Sequence, residues 1–106
     1  MTVVSRVVIA RAAAEAARAV PGVIALDAGS VGEFATYAQG TRVPGVRVAG
    51  EPPATVRVRV AVAFGEVLPD LAERVRDAVL AALEDVGAGA AVVDVHVTDV
   101  RAEAHR

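Results

Sequence analysis

The 106-residue chain has no cysteine, no lysine and no tryptophan, and only two Phe and one Tyr. The missing cysteines exclude disulfides, thiolate metal sites, iron-sulfur ligation and a cysteine nucleophile, and leave the redox compartment undetermined. Three aromatic rings are too few for a stacking platform on single-stranded nucleic acid. Cationic charge rests on 11 Arg against 13 Asp and Glu, for a formal net charge of -2. That balance is not the one-sided basic footprint of a nucleic-acid binder. Long hydrophobic runs are missing too: no uncharged stretch exceeds eight residues, whereas a membrane span needs about 20 mostly apolar ones. Arg6, Arg11, Glu15 and Arg18 interrupt the apolar N-terminal region, so it does not read as a signal peptide. A cytoplasmic protein is expected.

What is present is small and apolar. Of 58 apolar residues, 24 are Ala and 23 are Val, so disorder is excluded and a core must come from close packing of small side chains. The length holds one core, and 1–106 reads as a single domain with its core over about 3–101 and a frayed tail at 102–106.

Alanine-rich Arg6 to Val20 predicts a helix, with Ser5 as N-cap. Arg11, Glu15 and Arg18 share one stripe, leaving Val8, Ala12, Ala16 and Val20 for the core. Pro21-Gly22 ends it. Val23 to Ala28 reads as a short strand with Ile24 and Leu26 on one face and Asp27 opposite. Gly29 to Thr41 lacks a period and reads as a loop or a strand extension bent at Gly32 and Gly40. Val43-Pro44-Gly45 predicts a turn, Val46 to Ala49 a strand, and Gly50-Glu51-Pro52-Pro53 a break.

The strongest signal is Thr55 to Phe64, where Val56, Val58, Val60, Val62 and Phe64 alternate with Thr55, Arg57, Arg59, Ala61 and Ala63. Strict period two marks a strand with one buried face. Pro69 then opens a helix to about Val86, with Asp70 and Glu73 near the positive end of its dipole. Its apolar stripe is Leu71, Val75, Ala78, Val79, Ala82 and Val86, and Leu80 falls about 130° from the centre of that stripe, on the exposed side. Gly87 and Gly89 terminate it. Ala91 to Val100 closes the domain as a strand with Val93, Val95 and Val97 inward and Asp94, His96 and Thr98 outward.

The expected fold is α+β, a two-layer sandwich of order α-β-β-β-α-β, with two helices on one face of a three- to four-stranded sheet. The other face would carry Arg47, Arg57, Arg59, Asp94 and His96, with no third layer to cover it. Those five residues are the candidate partner-contact face. Together with an exposed Leu80, the open face points to docking or self-association.

Enzymatic motifs are weak. His96 beside Asp94 lacks the further converging ligands that a metal site needs, His105 being the only other histidine and lying in the tail; pairing with Arg57 or Arg59 explains them more simply. Ser5 and Ser30 have no base at a recognisable spacing. Gly87-Ala88-Gly89 follows a helix, whereas a dinucleotide fingerprint must open one. Gly29-Ser30-Val31-Gly32 has the shape of the KH-domain clamp loop, but it follows a strand and holds no basic residue. No catalytic, cofactor-binding or metal-binding residues are assigned.

Several segments in their common order resemble the bacterial alkaline-shock, or envelope stress response, protein family. They are Ser5 with Val8-Ile9-Ala10, then Val20-Pro21-Gly22-Val23 and Pro44-Gly45-Val46-Arg47-Val48. Downstream follow the alternating Val56 to Val62, the run Phe64-Gly65-Glu66-Val67-Leu68-Pro69-Asp70-Leu71-Ala72, and Val93-Asp94-Val95-His96-Val97-Thr98-Asp99-Val100. The resemblance covers about residues 3 to 101. It departs at the start, where only Thr2-Val3-Val4 could represent the family's first strand, and after the second helix, where Ala88-Gly89 replaces a bulky apolar residue. The resemblance implies a cytoplasmic, non-enzymatic protein of envelope homeostasis, without cofactor or small-molecule substrate, held by a membrane-anchored protein partner and able to assemble with itself. The alternative is a KH-like nucleic-acid-binding domain, which the net negative charge disfavours. An iron-sulfur assembly factor is disfavoured by the absence of cysteine.

Overall fold

The computed structural model describes residues 4–51 and 53–102. Expectations for Thr2, Val3, Pro52, His105 and the remainder of the tail beyond Ala102 lie outside the described residues. The elements run α1 Arg6–Ala19, β1 Val23–Leu26, β2 Ala35–Ala38, β3 Thr41–Pro44, β4 Val46–Ala49, β5 Thr55–Ala63, α2 Leu68–Asp85 and β6 Val92–Arg101. The order is therefore α-β-β-β-β-β-α-β, two strands more than the sequence suggested, in an α+β fold.

Strand β5 is the centre of the main sheet. Parallel β6 covers one edge over its whole length, from Thr55 opposite Val92 to Ala63 opposite Arg101. The other edge is shared end to end. Antiparallel β4 pairs with Thr55 to Val58, and antiparallel β1 with Val60 to Val62. The sheet is thus mixed, and α2 makes the crossover that a parallel neighbour requires. Both helices pack on the valine face, where Val56, Val58, Val60 and Val62 have no exposed surface.

The Ser5 side chain accepts a hydrogen bond from the Val8 N–H at 3.2 Å, capping α1 as expected. The buried face of α1 is rotated from the expected one. Ile9, Ala10, Ala13, Ala14, Ala17 and Val20 enter the core, Ala12 and Ala16 flank it, and Val8 is exposed. At about 100° per residue Val8 lies some 20° from Glu15, on the polar stripe itself. Alanines on the buried side let α1 lie close against β4, β5 and α2.

On α2 the buried residues are Leu71, Val75, Val79 and Leu83. Leu80, expected outside, is partly buried against the core, because Leu83 widens the apolar arc to within about 60° of it. Gly87, at φ +88, ends the helix. There Ala88 N–H donates to the Leu83 carbonyl at 2.7 Å and Gly87 N–H to that of Glu84 at 3.1 Å, the paired bonds of a Schellman cap. Ala88 supplies the accompanying apolar contact.

Three further expectations are corrected. A bulge between Val23 and Ala25 leaves Ile24 unpaired and exposed, so Val23 and Leu26 face the core in place of Ile24 and Leu26. Phe64 is 79% exposed instead of continuing the inward alternation, because β5 ends at Ala63 and the chain turns at Gly65. Ala61 and Ala63, expected on the outer face, are buried, Ala61 lying between Ala25 of β1 and Asp99 of β6, and Ala63 between Gly22 and Arg101.

The segment 29–41 holds most of the unexpected structure. Strands β2 and β3 form an antiparallel hairpin, with Ala38 opposite Thr41. Gln39 and Gly40 between them both have positive φ, +54 and +73, as a type I′ turn requires. Buried Thr36 fastens the hairpin to the main sheet, its hydroxyl donating to the Val46 carbonyl at 2.7 Å and accepting from the Val48 N–H at 3.2 Å. Pro44 closes β3, and Gly45 alone separates it from β4.

Candidate interaction surface

Alternation along β4, β5 and β6 sends every second side chain away from the helices. The register brings Arg47 opposite Arg57, Arg57 opposite Asp94, and Arg59 opposite His96. All five residues expected on the contact face therefore lie on one face of three adjacent strands. Arg57 Nε stands 4.0 Å from Asp94 Oδ2, both side chains about half exposed. His96 forms no ion pair among the described residues.

The sequence reading left this face bare and missed Phe34. The ring lies beneath two guanidinium groups, with Arg47 Cζ at 4.7 Å and Arg59 Cζ at 4.9 Å from its centroid, within cation–π range. Arg47 also donates from Nη2 to the Glu33 carbonyl at 2.9 Å. Phe34 is only 8% exposed, so part of the outer face is covered by the chain that leads into β2. A lone Phe in a segment without periodicity carries no pattern that would have placed it there. The ring holds the two Arg side chains in position, lowering the entropy lost when a partner's carboxylate meets them.

At the far end of the face, Asp27 accepts hydrogen bonds from the Thr98 hydroxyl and, at 2.9 Å, from the Gly29 N–H. These bonds hold its pKa below the ordinary 3.8 against the opposing effect of burial, with Arg59 and Arg101 adding lesser attraction. Arg101 Nε pairs with Asp99 Oδ2 at 2.8 Å. The stabilisation from Asp27 is present above its unfolded pKa and is lost as pH falls through the lower folded value. Thr98→Val, which removes the largest cause, is expected to lower stability at neutral pH, with the gap to the parent chain closing as pH drops below 3.8. Urea titrations at several pH values measure it, and a gap independent of pH would contradict the assignment.

Four arginines, at 47, 57, 59 and 101, share the face with Asp27, Asp94 and Asp99, so the charges are interleaved instead of uniformly basic. The Gly29 to Gly32 loop lies between β1 and β2. The Glu33 carboxylate packs so close to Gly29 that a Cβ there would lie 2.6 Å from Oε2. A phosphate approaching the loop would meet that negative charge. Among the described residues no three His, Asp or Glu side chains are grouped to hold a metal, and no helix is long and apolar enough to cross a membrane.

Two helices backing a mixed sheet whose other face carries guanidinium, carboxylate and imidazole groups define a small α+β fold with a polar outer face. The chain belongs to the alkaline shock protein family, whose model, described by a cell envelope-related function, matches residues 1–102. No curated protein and no solved structure matches the chain.

Proposed function

We propose that the chain is a non-enzymatic scaffold or adaptor of the cell envelope, acting in the cytoplasm. It docks through Arg47, Arg57, Arg59, Asp94 and His96 onto a membrane-anchored protein partner and associates with copies of itself. Family membership supports the cellular setting. The observation that carries the docking reading is the exposed Arg47 directly opposite Arg57, with one carboxylate, Asp94, 4.0 Å from Arg57. Like charges placed opposite each other across strands destabilise the pair. A partner carboxylate would relieve that repulsion and accept charge-assisted hydrogen bonds.

The test is recovery of a tagged copy from native cells, with and without nuclease, beside the double substitution Arg57→Glu and Arg59→Glu. The parent chain is expected to sediment with membranes through one membrane protein, insensitive to nuclease. The double substitution should remove that partner while leaving a folded domain, at a stability cost of about 1 kcal/mol from the lost Arg59 contact with Phe34 and the lost Arg57 pairing with Asp94. An unchanged pull-down would sink the docking surface. Companions that vanish with nuclease would favour the KH-like alternative.

A further inference from the structure

The outer edge of the sheet is β6. Its one pairing among the described residues is with β5. Val92 N–H donates to the Ala54 carbonyl at 3.0 Å, and backbone groups alternate along a strand, so the N–H and C=O groups of Val93, Val95 and Val97 point away from β5. Proteins usually block such an edge with Lys, Pro or a bulge. From Val92 to Val97 there is no Lys or Pro, and the register stays regular until it shifts between Val60 and Ala61, past Val97.

We propose that β6 pairs antiparallel with β6 of a second copy, about a two-fold axis at Val95, joining two sheets into one. The inference rests on the self-association reading above and names the surface that performs it. With Val95 opposite its own copy, Val93 faces Val97 on the helix side. On the outer face Asp94 stands opposite His96 of the partner subunit, and two-fold symmetry makes that contact twice.

Chemistry selects this register. A slip of one residue would set apolar positions against polar ones. Slips of two would place Asp94 opposite its own copy in one direction and His96 opposite its own copy in the other. In the chosen register each Asp94 carboxylate lies between Arg57, its neighbour in β5, and an imidazole donor of the partner subunit. A shallow groove of about 430 Å³, floored by Val93 and Val95 and walled by Pro69, Ala72, Glu73 and Arg76 of α2, lies beside this edge and receives the partner's valines.

The absence of cysteine makes a direct test simple. Sedimentation equilibrium of the full chain is expected to show a dimer. His96→Asp sets carboxylate against carboxylate at both symmetric contacts and should weaken the dimer at least ~10-fold, as like charges directly opposite do. Combining it with Asp94→His restores opposite partners, and affinity should return to within about threefold of the parent. Both positions are exposed, and circular dichroism checks that the variants fold. Val95→Cys should form a disulfide-linked dimer under mild oxidation, since hydrogen-bonded antiparallel neighbours have Cα atoms about 5.5 Å apart. Val100→Cys should not. A chain monomeric at every concentration would overturn both this pairing and self-association. A dimer that the exchange of Asp94 and His96 leaves unmoved, and that Val95→Cys does not cross-link, would overturn the β6 pairing alone.

Discussion

Gly45→Ala is expected to destabilise the domain by about 3 kcal/mol, combining a left-handed backbone cost of roughly 1–2 kcal/mol with a steric clash. In thermal denaturation this corresponds to a fall of about 12 °C or more. Gly45 sits where β1 gives way to β4 along one edge of β5. Its carbonyl accepts from Arg59 N–H at 3.0 Å, its N–H donates to the Phe34 carbonyl at 2.8 Å, and the Arg59 carbonyl accepts from Asp27 N–H at 2.8 Å. The junction therefore holds three segments to the central strand through one residue and its neighbours. Its φ is +81, and a Cβ would lie 2.5 Å from Leu26 Cβ and 3.2 Å from the Asp27 nitrogen. Neither atom is the free end of a flexible side chain, so relief requires moving β1 off β5. Gly40→Ala is the control. Its φ of +73 is similar, but no atom lies within 4 Å of a Cβ there, so only the backbone cost of about 1 kcal/mol is expected. Equal losses at the two positions would contradict the packing argument.

Leu83→Ala is expected to cost about 4 kcal/mol, toward the upper end for a buried leucine. Leu71 and Leu83 head the fully buried side chains by volume, and those that follow are all valines. The buried residues of α1, which packs on α2, are Val7, Ile9, Ala10, Ala13, Ala14 and Ala17, and the four alanines have no rotamers with which to fill a void. Collapse around the lost side chain would require α1 itself to shift against α2, and the cavity is expected to remain largely open. Because a small domain has only about 5–15 kcal/mol of stability in total, the loss is a large fraction of it. Urea unfolding measures the effect, with half-buried Leu80→Ala as a comparison expected to lose about 1 kcal/mol. A loss below about 1.5 kcal/mol for Leu83→Ala would show that the interface between the helices can repack.

The legible parts of this sequence are those whose signal is repeated along the chain. Both helices, the ends of α2 and strands β4, β5 and β6 follow from local pattern: Ser5 and Pro69 at helix starts, Gly22 and Gly87 beyond their ends, and valine at every second position. The same alternation places Arg47, Arg57, Arg59, Asp94 and His96 on a common face, because strand geometry leaves them no other side once the valines are buried. The β2–β3 hairpin was not legible. Ala35-Thr36-Tyr37-Ala38 and Thr41-Arg42-Val43-Pro44 lack an alternating pattern, and what holds them is the Gln39-Gly40 turn and the bonds of Thr36 to β4.

Composition and periodicity determined by themselves that the fold is α+β with a close-packed core rich in Ala and Val, and that one face of its sheet carries charge. Tertiary structure alone decided that β1 and β4 share an edge of β5, that Phe34 lies beneath Arg47 and Arg59, and that β6, among the described residues, pairs with β5 on one side only. Each of these depends on contacts between residues distant in the chain, in which a single glycine, bulge or ring selects among arrangements of similar local energy. Periodicity reports which side of an element is apolar, and it carries no information on which element lies alongside.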